Sequence, residues 1–366
     1  MYTLTFHDGR WRIERNNYVD IVKTRHQYLI RSCDKKLFND VEGMTLLPHI
    51  KLFDDGYLET DYSSRIPTVH DTIVSLLSDR SRRGYHLPPR TLLLYEGGKK
   101  YVFINRLQDY NEDYITDIGK LSDMLIEALS SYIKLVAERE ELYLSFSGGI
   151  DSTLLLYILG RLTDRIKAVT IALEGAQDEA VSKDVLKKTG LDVEHIVVSP
   201  TEDDLIKAIY DIKSLIPNID GTLLSIAVSE YLTYNEVPKG RRIVMGQGAD
   251  ELFGGYDKYR RTFPSFKTEN IIDLSLLQYT TGYIEWLLAS KQNIYVEYPY
   301  LSPSVIEVAA KTPQQYKVMN PNDFHRKWII RTSLKMLNAP KDVYMRRKKA
   351  MQYSTGISKR LKRIVR

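Results

Sequence analysis

The fold of this chain is decided by residues 144–153, whose sequence is LSFSGGIDST. Residues 142–146 are mostly apolar and predict a short strand, whereas residues 151–162 have a helical pattern. A strand that turns into a helix through Gly148 and Gly149 presents unpaired backbone N–H groups at the positive end of a helix dipole. This stretch therefore predicts an anion-binding loop between a strand and a helix.

Strand and helix patterns alternate after this loop. We predict further strands at residues 168–173, 194–198 and 243–245, with helices between them. Such alternation is typical of an α/β fold with a doubly wound parallel sheet. Ligands of these sheets bind beyond the carboxyl ends of the strands, which is where the loop lies.

The residues before the loop have a different pattern. Hairpin signals at residues 7–10, 54–56 and 96–99 each separate two short strand patterns. We therefore predict a smaller, β-rich N-terminal domain over residues 1–115 and the α/β domain over residues 116–366.

The composition excludes several classes of protein. The chain has 366 residues, 43% of them hydrophobic and 27% charged, which is ordinary for a globular protein of two domains. Its one cysteine, Cys33, rules out an intramolecular disulfide and a four-cysteine zinc site. No apolar run is long enough for a membrane span, and the first eight residues do not resemble a secretion signal. We expect a cytoplasmic protein that does not contact a membrane.

The net charge of +5 comes from the C-terminal end of the chain. Nine basic residues and no acidic residue lie between Val343 and Arg366, so the rest of the chain is slightly acidic. A solvated helix end or an anion site would each explain this basic segment. The local character of the charge makes nucleic acid an unlikely partner.

The first loop carries groups suited to a nucleotide. Its hydroxyls can bind phosphate oxygens, and the carboxylate of Asp151 can hold Mg²⁺ against them. A tight turn with Asp151 as a helix cap is the alternative. The Walker pattern is absent, also at residues 97–100, which argues against an ordinary P-loop enzyme. The predicted ATP-binding residues of this loop are Ser147, Gly148, Gly149, Asp151, Ser152 and Thr153.

A second glycine-rich loop follows the predicted strand at 243–245. Residues 245–256 have the sequence MGQGADELFGGY, which places the carboxylates of Asp250 and Glu251 beyond a strand end. Asp250 is either a second Mg²⁺ ligand, facing the first loop, or the cap of a helix.

The two loops together resemble a known family. The first resembles the S-G-G-x-D-S loop that binds pyrophosphate in ATP pyrophosphatases. The second resembles the S-G-E-G-S-D-E-x-F-G-G-Y loop of asparagine synthetases, and the pair is similar to the asparagine synthetase and β-lactam synthetase family. The resemblance implies ATP and Mg²⁺ as cofactors and an enzyme that adenylates a carboxylate.

The resemblance also implies roles for individual residues. It places Phe146, Ile171, Met245 and Gly246 in the ATP pocket, with core packing as the alternative for the apolar side chains. Residues 298–301 and 325–331 are similar to the family's V-P-F-L and H-K-W-x-x-R segments. Residues 347–353 resemble its R-x-K-x-x-F segment, whose lysine contacts the phosphates. We assign that role to Lys349, with Lys348 as the alternative, and the candidate catalytic residues are Lys349, Gln247 and Glu251.

Three departures from the family pattern bear on the substrate. Tyr2 follows Met1 where glutamine-dependent members have a cysteine nucleophile, and Cys33 cannot replace it, so we predict a truncated, non-hydrolysing glutaminase-like domain. Gln247 stands where asparagine synthetases have glutamate, and a neutral amide cannot accept a proton. Ser225 stands where they have an arginine.

We therefore expect an ATP-dependent ligase that adenylates a carboxylate, with aspartate as the first candidate, and then transfers nitrogen to it. The nitrogen would come from ammonia, an amine substrate or a separate glutaminase partner. Two alternatives remain. One is the same chemistry on another substrate, as in a β-lactam synthetase or a tRNA-modifying enzyme. The other is a non-catalytic, nucleotide-binding subunit.

Overall fold

A computed structural model describes the backbone of ten strands between Thr3 and Ile104, and then residues 114–137, 141–217, 219, 221–277, 281–347 and 355–364. The chain divides into two compact units. The first unit comprises Met1–Ser63 and Pro67–Asn111, and the second comprises Ser64–Ile66 and Glu112–Arg366. Each unit is considered by itself. The domain boundary near residue 115 stays a prediction.

The described strands of the first unit pair in antiparallel fashion. Strand β1 pairs with β2, β3 with β4, β9 with both β5 and β10, and β6 with both β7 and β8. The pairs β1–β2, β6–β7 and β9–β10 lie at the three hairpin signals. The strands are β1 (Thr3–His7), β2 (Arg10–Glu14), β3 (Asp20–Thr24), β4 (Gln27–Arg31), β5 (Lys36–Asn39), β6 (Ile50–Leu52), β7 (Leu58–Thr60), β8 (Tyr85–His86), β9 (Thr91–Glu96) and β10 (Lys99–Ile104).

The second unit contains a five-stranded sheet, and each of its strands is parallel to its neighbours. Its order is β13-β12-β11-β14-β15. The sequence predicted the first four strands, while the three-residue strand β15 was not predicted. The strands are β11 (Leu142–Ser145), β12 (Ile166–Ile171), β13 (Glu194–Val198), β14 (Arg242–Val244) and β15 (Tyr295–Glu297).

Helices flank the sheet, so the predicted α/β class with a parallel sheet is confirmed for this unit. The described helices are α1 (Ile118–Ala137), α2 (Ile150–Leu162), α3 (Gln177–Thr189), α4 (Glu202–Leu215), α5 (Gly221–Asn235), α6 (Ala249–Phe253), α7 (Lys258–Arg261), α8 (Phe266–Leu277), α9 (Thr281–Gln292), α10 (Pro303–Lys311), α11 (Gln314–Lys317), α12 (Trp328–Met336), α13 (Lys341–Tyr344) and α14 (Ile357–Ile364).

The core is built around the central strand β11. Leu142 and Leu144 of this strand are fully buried, and α2 packs against it. Helices α1, α2 and α12 pack on one another, whereas α4 and α9 pack on α5, which contacts β12. Leu121, Leu125 and Leu129 line the buried face of α1 at helical spacing. In the described part of the chain, no helix has the length and apolar character needed to cross a membrane.

The strand order places the two glycine-rich loops side by side. The chain moves from β11 to β12 on one side, and it later returns to β14 on the other side of β11. The sheet order therefore reverses between β11 and β14, which is the position where doubly wound sheets bind ligands. The loops after these two strands are the ones that the sequence singled out.

Candidate functional site

The first loop leads from β11 into α2 and depends on a glycine at its centre. Gly148 has φ +70, and a Cβ atom there would lie 2.8 Å from Val181 Cγ1 and 3.0 Å from the backbone of Ser182. Only glycine allows α3 to approach the loop so closely. The first turn of α2, which begins after this glycine, presents its backbone N–H groups beside the carboxylate of Asp151 in the same turn.

The hydroxyls of this loop differ in their exposure. Ser147 is half-buried, and its Oγ accepts a hydrogen bond from the Gly149 N–H at 3.3 Å. Ser152 and Thr153 are buried, and the Ser152 Oγ donates to the Gly149 carbonyl at 3.2 Å. The loop is therefore pre-shaped by its own hydroxyls, and among these three Ser147 is the most accessible to a ligand.

The second loop also packs so closely against its neighbours that it needs glycines. Gly248 has φ +87, and a Cβ atom there would lie 2.2 Å from Leu301 Cδ2. A Cβ atom on Gly255 would lie 1.6 Å from Asp250 Oδ1 and 2.2 Å from Lys327 Cε. These glycines let α6, which carries Asp250 and Glu251, lie against the segments that contain Leu301 and Lys327.

Lys327 bridges the two predicted magnesium ligands. Its Nζ lies 2.8 Å from Asp151 Oδ1, 2.7 Å from Asp151 Oδ2 and 2.5 Å from Asp250 Oδ1. The lysine side chain is 1% exposed, whereas the two carboxylates are 17% and 22% exposed. The structure therefore brings Asp151 and Asp250 together, and it adds a buried cation that the sequence analysis did not assign to the site.

The backbone around Lys327 is held in an unusual conformation. Arg326 and Lys327 both have φ 53, in the left-handed region that side chains other than glycine rarely adopt. Asp323 accepts hydrogen bonds from the backbone N–H groups of Met319, His325 and Arg326. Strain of this kind persists where the surroundings over-determine the conformation, and it is concentrated at functional sites.

Arg331 holds the same segment from the other side. Its guanidinium is 1% exposed and donates to the carbonyl oxygens of His325 at 2.5 Å and Arg326 at 2.7 Å. It also donates to the carbonyl oxygens of Tyr344 at 2.5 Å and Arg346 at 3.0 Å. One buried side chain therefore ties the segment of Lys327 to the chain that enters the basic C-terminal stretch.

Glu251 and Gln247 occupy different surroundings. Glu251 is buried, and burial followed by the charge of Asp250 raises its pKa to about 7. Its Oε1 accepts a hydrogen bond from the Tyr256 hydroxyl at 2.5 Å. Gln247 donates from Nε2 to Thr281 Oγ1 at 2.7 Å, which connects the second loop to the start of α9.

The apolar residues assigned to the ATP pocket are buried at the ends of the strands. Phe146, Ile171 and Met245 are 1%, 5% and 6% exposed. The ring of Phe146 packs edge-on against the half-buried ring of His195. Ser225 is also buried, and its hydroxyl donates to the Gly221 carbonyl within α5. The predicted contact of Phe146, Ile171, Met245 and Gly246 with a nucleotide stays a prediction.

Lys348 and Lys349 lie outside the described residues. The described chain on either side is attached to the second unit. Arg346 pairs with Asp184 of α3 at 2.7 Å, and the Thr355 carbonyl accepts from the Leu173 N–H at 3.0 Å. Leu173 follows strand β12, at the same end of the sheet as the two loops. The phosphate role of Lys349 stays a prediction.

Two carboxylates suit a magnesium ion that also binds phosphate. Within the residues that the structure describes, no cluster of three or more His, Cys, Asp or Glu could hold a metal ion. Mg²⁺ in nucleotide sites is commonly held by one or two carboxylates, with phosphate oxygens and water completing its shell. Asp151 and Asp250 supply that number of ligands, so the residues present fit such an ion.

A buried acidic pair lies between helices α5 and α9. Glu230 and Glu285 are 3% and 1% exposed, and the carboxyl of Glu285 faces both Glu230 and Tyr298. Burial raises the pKa of Glu285 to about 7, and the charge of Glu251 adds to this shift. Burial and the neighbouring Glu285 raise the pKa of Glu230 as well. Sequence patterns did not reveal this pair, because its members come from two helices.

A comparison with protein families decides the identity of this fold. The model of the asparagine synthase family matches residues 133–297 and 287–366, which include both loops and Lys327. The chain belongs to the asparagine synthase family. The predicted family resemblance is therefore confirmed, whereas the glutaminase-like character of the N-terminal domain stays a prediction.

Curated relatives of this asparagine synthase family member support the same conclusion at low identity. A protein of Acanthamoeba polyphaga mimivirus named "Probable asparagine synthetase (glutamine-hydrolyzing)" is 28% identical over 262 residues, covering 69% of this chain and 46% of the relative. The asparagine synthetase (glutamine-hydrolyzing) of Sandersonia aurantiaca is 25% identical over 232 residues, covering 58% and 43%. The chain spans less than half the length of these relatives.

Lys327 is the main site residue that sequence reasoning missed. It lies in the segment 325–331 that resembles the family's H-K-W-x-x-R pattern, so the motif was visible although its role was not. A basic residue in a polar stretch has no distinguishing periodicity. Only the packing of this segment against both loops places its ammonium between the two carboxylates.

Proposed function

We propose that this asparagine synthase family member is an ATP-dependent ligase that forms amides through an acyl-adenylate. A carboxylate oxygen of the substrate attacks the α-phosphorus of ATP, and the bond from that phosphorus to the leaving pyrophosphate breaks. A nitrogen nucleophile then attacks the acyl carbon, AMP leaves and the nitrogen loses a proton. The proposal rests on one observation: Lys327 contacts both Asp151 and Asp250. These residues lie beyond strands β11 and β14, between which the strand order of the sheet reverses.

The chain's own groups suit the first step. The N–H groups at the start of α2 and the hydroxyl of Ser147 would bind the phosphates, and Lys327 would neutralise charge on the departing pyrophosphate. Lys349 is proposed to add a further cation. Asp151 and Asp250 would hold Mg²⁺, which when bound offsets the charge of the phosphates.

The second step depends on the residues that depart from the family pattern. Gln247 cannot accept the proton from the nitrogen, because its amide is neutral and its Nε2 donates to Thr281. We propose that Gln247 orients the nucleophile. Glu251, held by Tyr256 in the same loop, remains the proposed catalytic carboxyl. Ammonia, an amine or ammonia from a separate glutaminase would be the nitrogen source.

Aspartate is the proposed acceptor, and a different carboxylate is the second candidate. The hydrogen bond between Gln247 and Thr281 favours the second candidate. The family pattern has a charged glutamate at position 247, whereas here two neutral side chains meet. A nucleotide-binding subunit without chemistry is disfavoured by the intact set of charged residues in the site.

The test is pyrophosphate release by the purified chain with ATP and Mg²⁺. Aspartate with ammonium is compared with aspartate and glutamine, with other carboxylates and with no carboxylate. We expect release that requires a carboxylate and is lost in Asp250→Asn. The control Asp164→Asn changes an exposed residue between α2 and β12 and should leave release unchanged. Tight ATP binding with no carboxylate-dependent release would contradict the ligase and favour a binding subunit.

A further inference from the structure

The ammonium of Lys327 lies between the two carboxylates that are proposed to hold a divalent cation. It contacts three carboxylate oxygens from Asp151 and Asp250 at 2.5 to 2.8 Å. A cation held by both carboxylates would have to share the Asp151 oxygens, because Lys327 contacts both of them. The two carboxylates and the ammonium together carry one net negative charge, so the ammonium offsets half of the carboxylate charge that would attract Mg²⁺.

Lys327 cannot leave this position without a new partner. Its side chain is 1% exposed, and the backbone of Gly255 lies directly against its stem, since a Cβ atom there would be 2.2 Å from Lys327 Cε. A buried ammonium that loses its counter-ions is costly. Solvent cannot easily replace the carboxylates, whereas an anion that enters with the metal could.

We propose that Lys327 occupies the metal position of the nucleotide-free protein, so that the metal binds only together with a polyphosphate. The polyphosphate oxygens bind the ammonium of Lys327 in place of the carboxylates. The carboxylates can then bind the metal. This inference rests on the proposed function, because it assumes that ATP or pyrophosphate enters between the two loops. It assigns Lys327 an additional task, which is to prevent the metal from binding before the nucleotide.

The alternative is a permanent salt bridge that only stabilises the fold. In that case Lys327 would stay with the carboxylates in every state, and polyphosphate would leave the metal affinity of the wild type unchanged. The two possibilities therefore predict different effects of polyphosphate on metal affinity.

The experiment measures the binding of Mn²⁺, as a spectroscopic substitute for Mg²⁺, to the full chain by electron paramagnetic resonance. We expect the nucleotide-free wild type to bind Mn²⁺ weakly, and Lys327→Met to bind it at least tenfold more tightly. Lys335→Met, an exposed lysine of α12, is the matched control and should bind Mn²⁺ as the wild type does. Lys327→Met/Asp250→Asn should lose the gain.

A second measurement keeps the inference testable should Lys327→Met fail to fold. Pyrophosphate should raise the affinity of the wild type for Mn²⁺ at least tenfold, and Mn²⁺ should raise the affinity of the wild type for pyrophosphate by the same factor. The binding of Mn²⁺ to free pyrophosphate is measured alongside and subtracted. Equally tight Mn²⁺ binding by nucleotide-free wild type and Lys327→Met would overturn the inference. So would wild-type binding that pyrophosphate leaves unchanged.

These outcomes are separate from those that test the ligase. Absence of carboxylate-dependent pyrophosphate release, with the expected Mn²⁺ pattern intact, would reject the proposed function and retain the role of Lys327. Amide formation by a wild type that binds Mn²⁺ tightly without nucleotide would reject the role of Lys327 alone.

Discussion

Gln247 donates a hydrogen bond from its side-chain Nε2 to the hydroxyl oxygen of Thr281, at a distance of 2.7 Å. This contact joins the second glycine-rich loop to the first residue of α9. It also fixes the orientation of an amide at the position where the family pattern has a carboxylate. The contact therefore offers a way to separate the two chemical steps.

We predict that Gln247→Ala slows amide formation and leaves adenylation nearly unchanged. A hydrogen bond of this kind contributes about 1 kcal/mol, which corresponds to about fivefold in rate. Thr281→Val, which removes the acceptor and keeps Gln247, should produce a similar loss. Exchange of labelled pyrophosphate into ATP reports adenylation, and product amide reports the second step. An equal fall in both would show that Gln247 acts before the adenylate forms.

The stability of the second unit should depend on pH through Glu285. Its pKa is raised from an ordinary value of 4.5 to about 7, chiefly by burial. The titratable groups that interact within this cluster are Glu230, Tyr234, Tyr298 and Glu251. The folded state therefore keeps a proton that the unfolded chain releases between about pH 4.5 and 7, and stability falls as pH rises through this range.

Replacing Glu285 by glutamine keeps the size and shape of the side chain and removes its titratable carboxyl group. We compare the free energy of unfolding, measured with urea, at pH 5 and at pH 8. We expect it to fall by about 2–3 kcal/mol less in Glu285→Gln than in the wild type. The control is Glu307→Gln, whose side chain is 52% exposed in an ion pair with Lys311. An unchanged slope in Glu285→Gln would mean that the carboxyl is charged in the folded state at low pH.

Arg331→Met should strongly destabilise the second unit. The substitution leaves four carbonyl oxygens, two of them on the Lys327 segment, without their donor. Loss of such a buried, charge-assisted network costs about 3–5 kcal/mol. Urea unfolding of Arg331→Met, compared with Thr332→Ala on the same helix, measures the effect. A loss below about 1 kcal/mol would contradict this role of Arg331.

Gly248→Ala should cost far more than the same substitution at Gly175. Both glycines have positive φ, +87 and +73, so the backbone strain is similar at the two positions. A Cβ atom at Gly248 would meet Leu301 at 2.2 Å, whereas nothing lies within 4 Å of one at Gly175. We expect about 1 kcal/mol for Gly175→Ala and at least 2 kcal/mol more for Gly248→Ala, measured by thermal unfolding. Equal losses would show that the second loop moves to accommodate the methyl group.

Sequence patterns determined the architecture of the second unit and its family. The alternation of strand and helix patterns predicted the parallel sheet, and Gly148, Asp151 and Asp250 could be assigned to loops because they follow apolar strands. These features are local, since they depend on periodicity and on residues close together in the chain. Strand β15 was not predicted because three residues carry too little periodicity.

Tertiary structure alone decided which charged groups meet. Asp151 and Lys327 are 176 positions apart, and the backbone segment that carries Lys327 reaches the loops because Asp323 and Arg331 hold it in a strained conformation. Glu230 and Glu285 likewise meet only because α5 packs on α9. Local patterns determine which element a residue belongs to, but the contacts of a buried charge depend on how distant elements pack, and no periodicity encodes that packing.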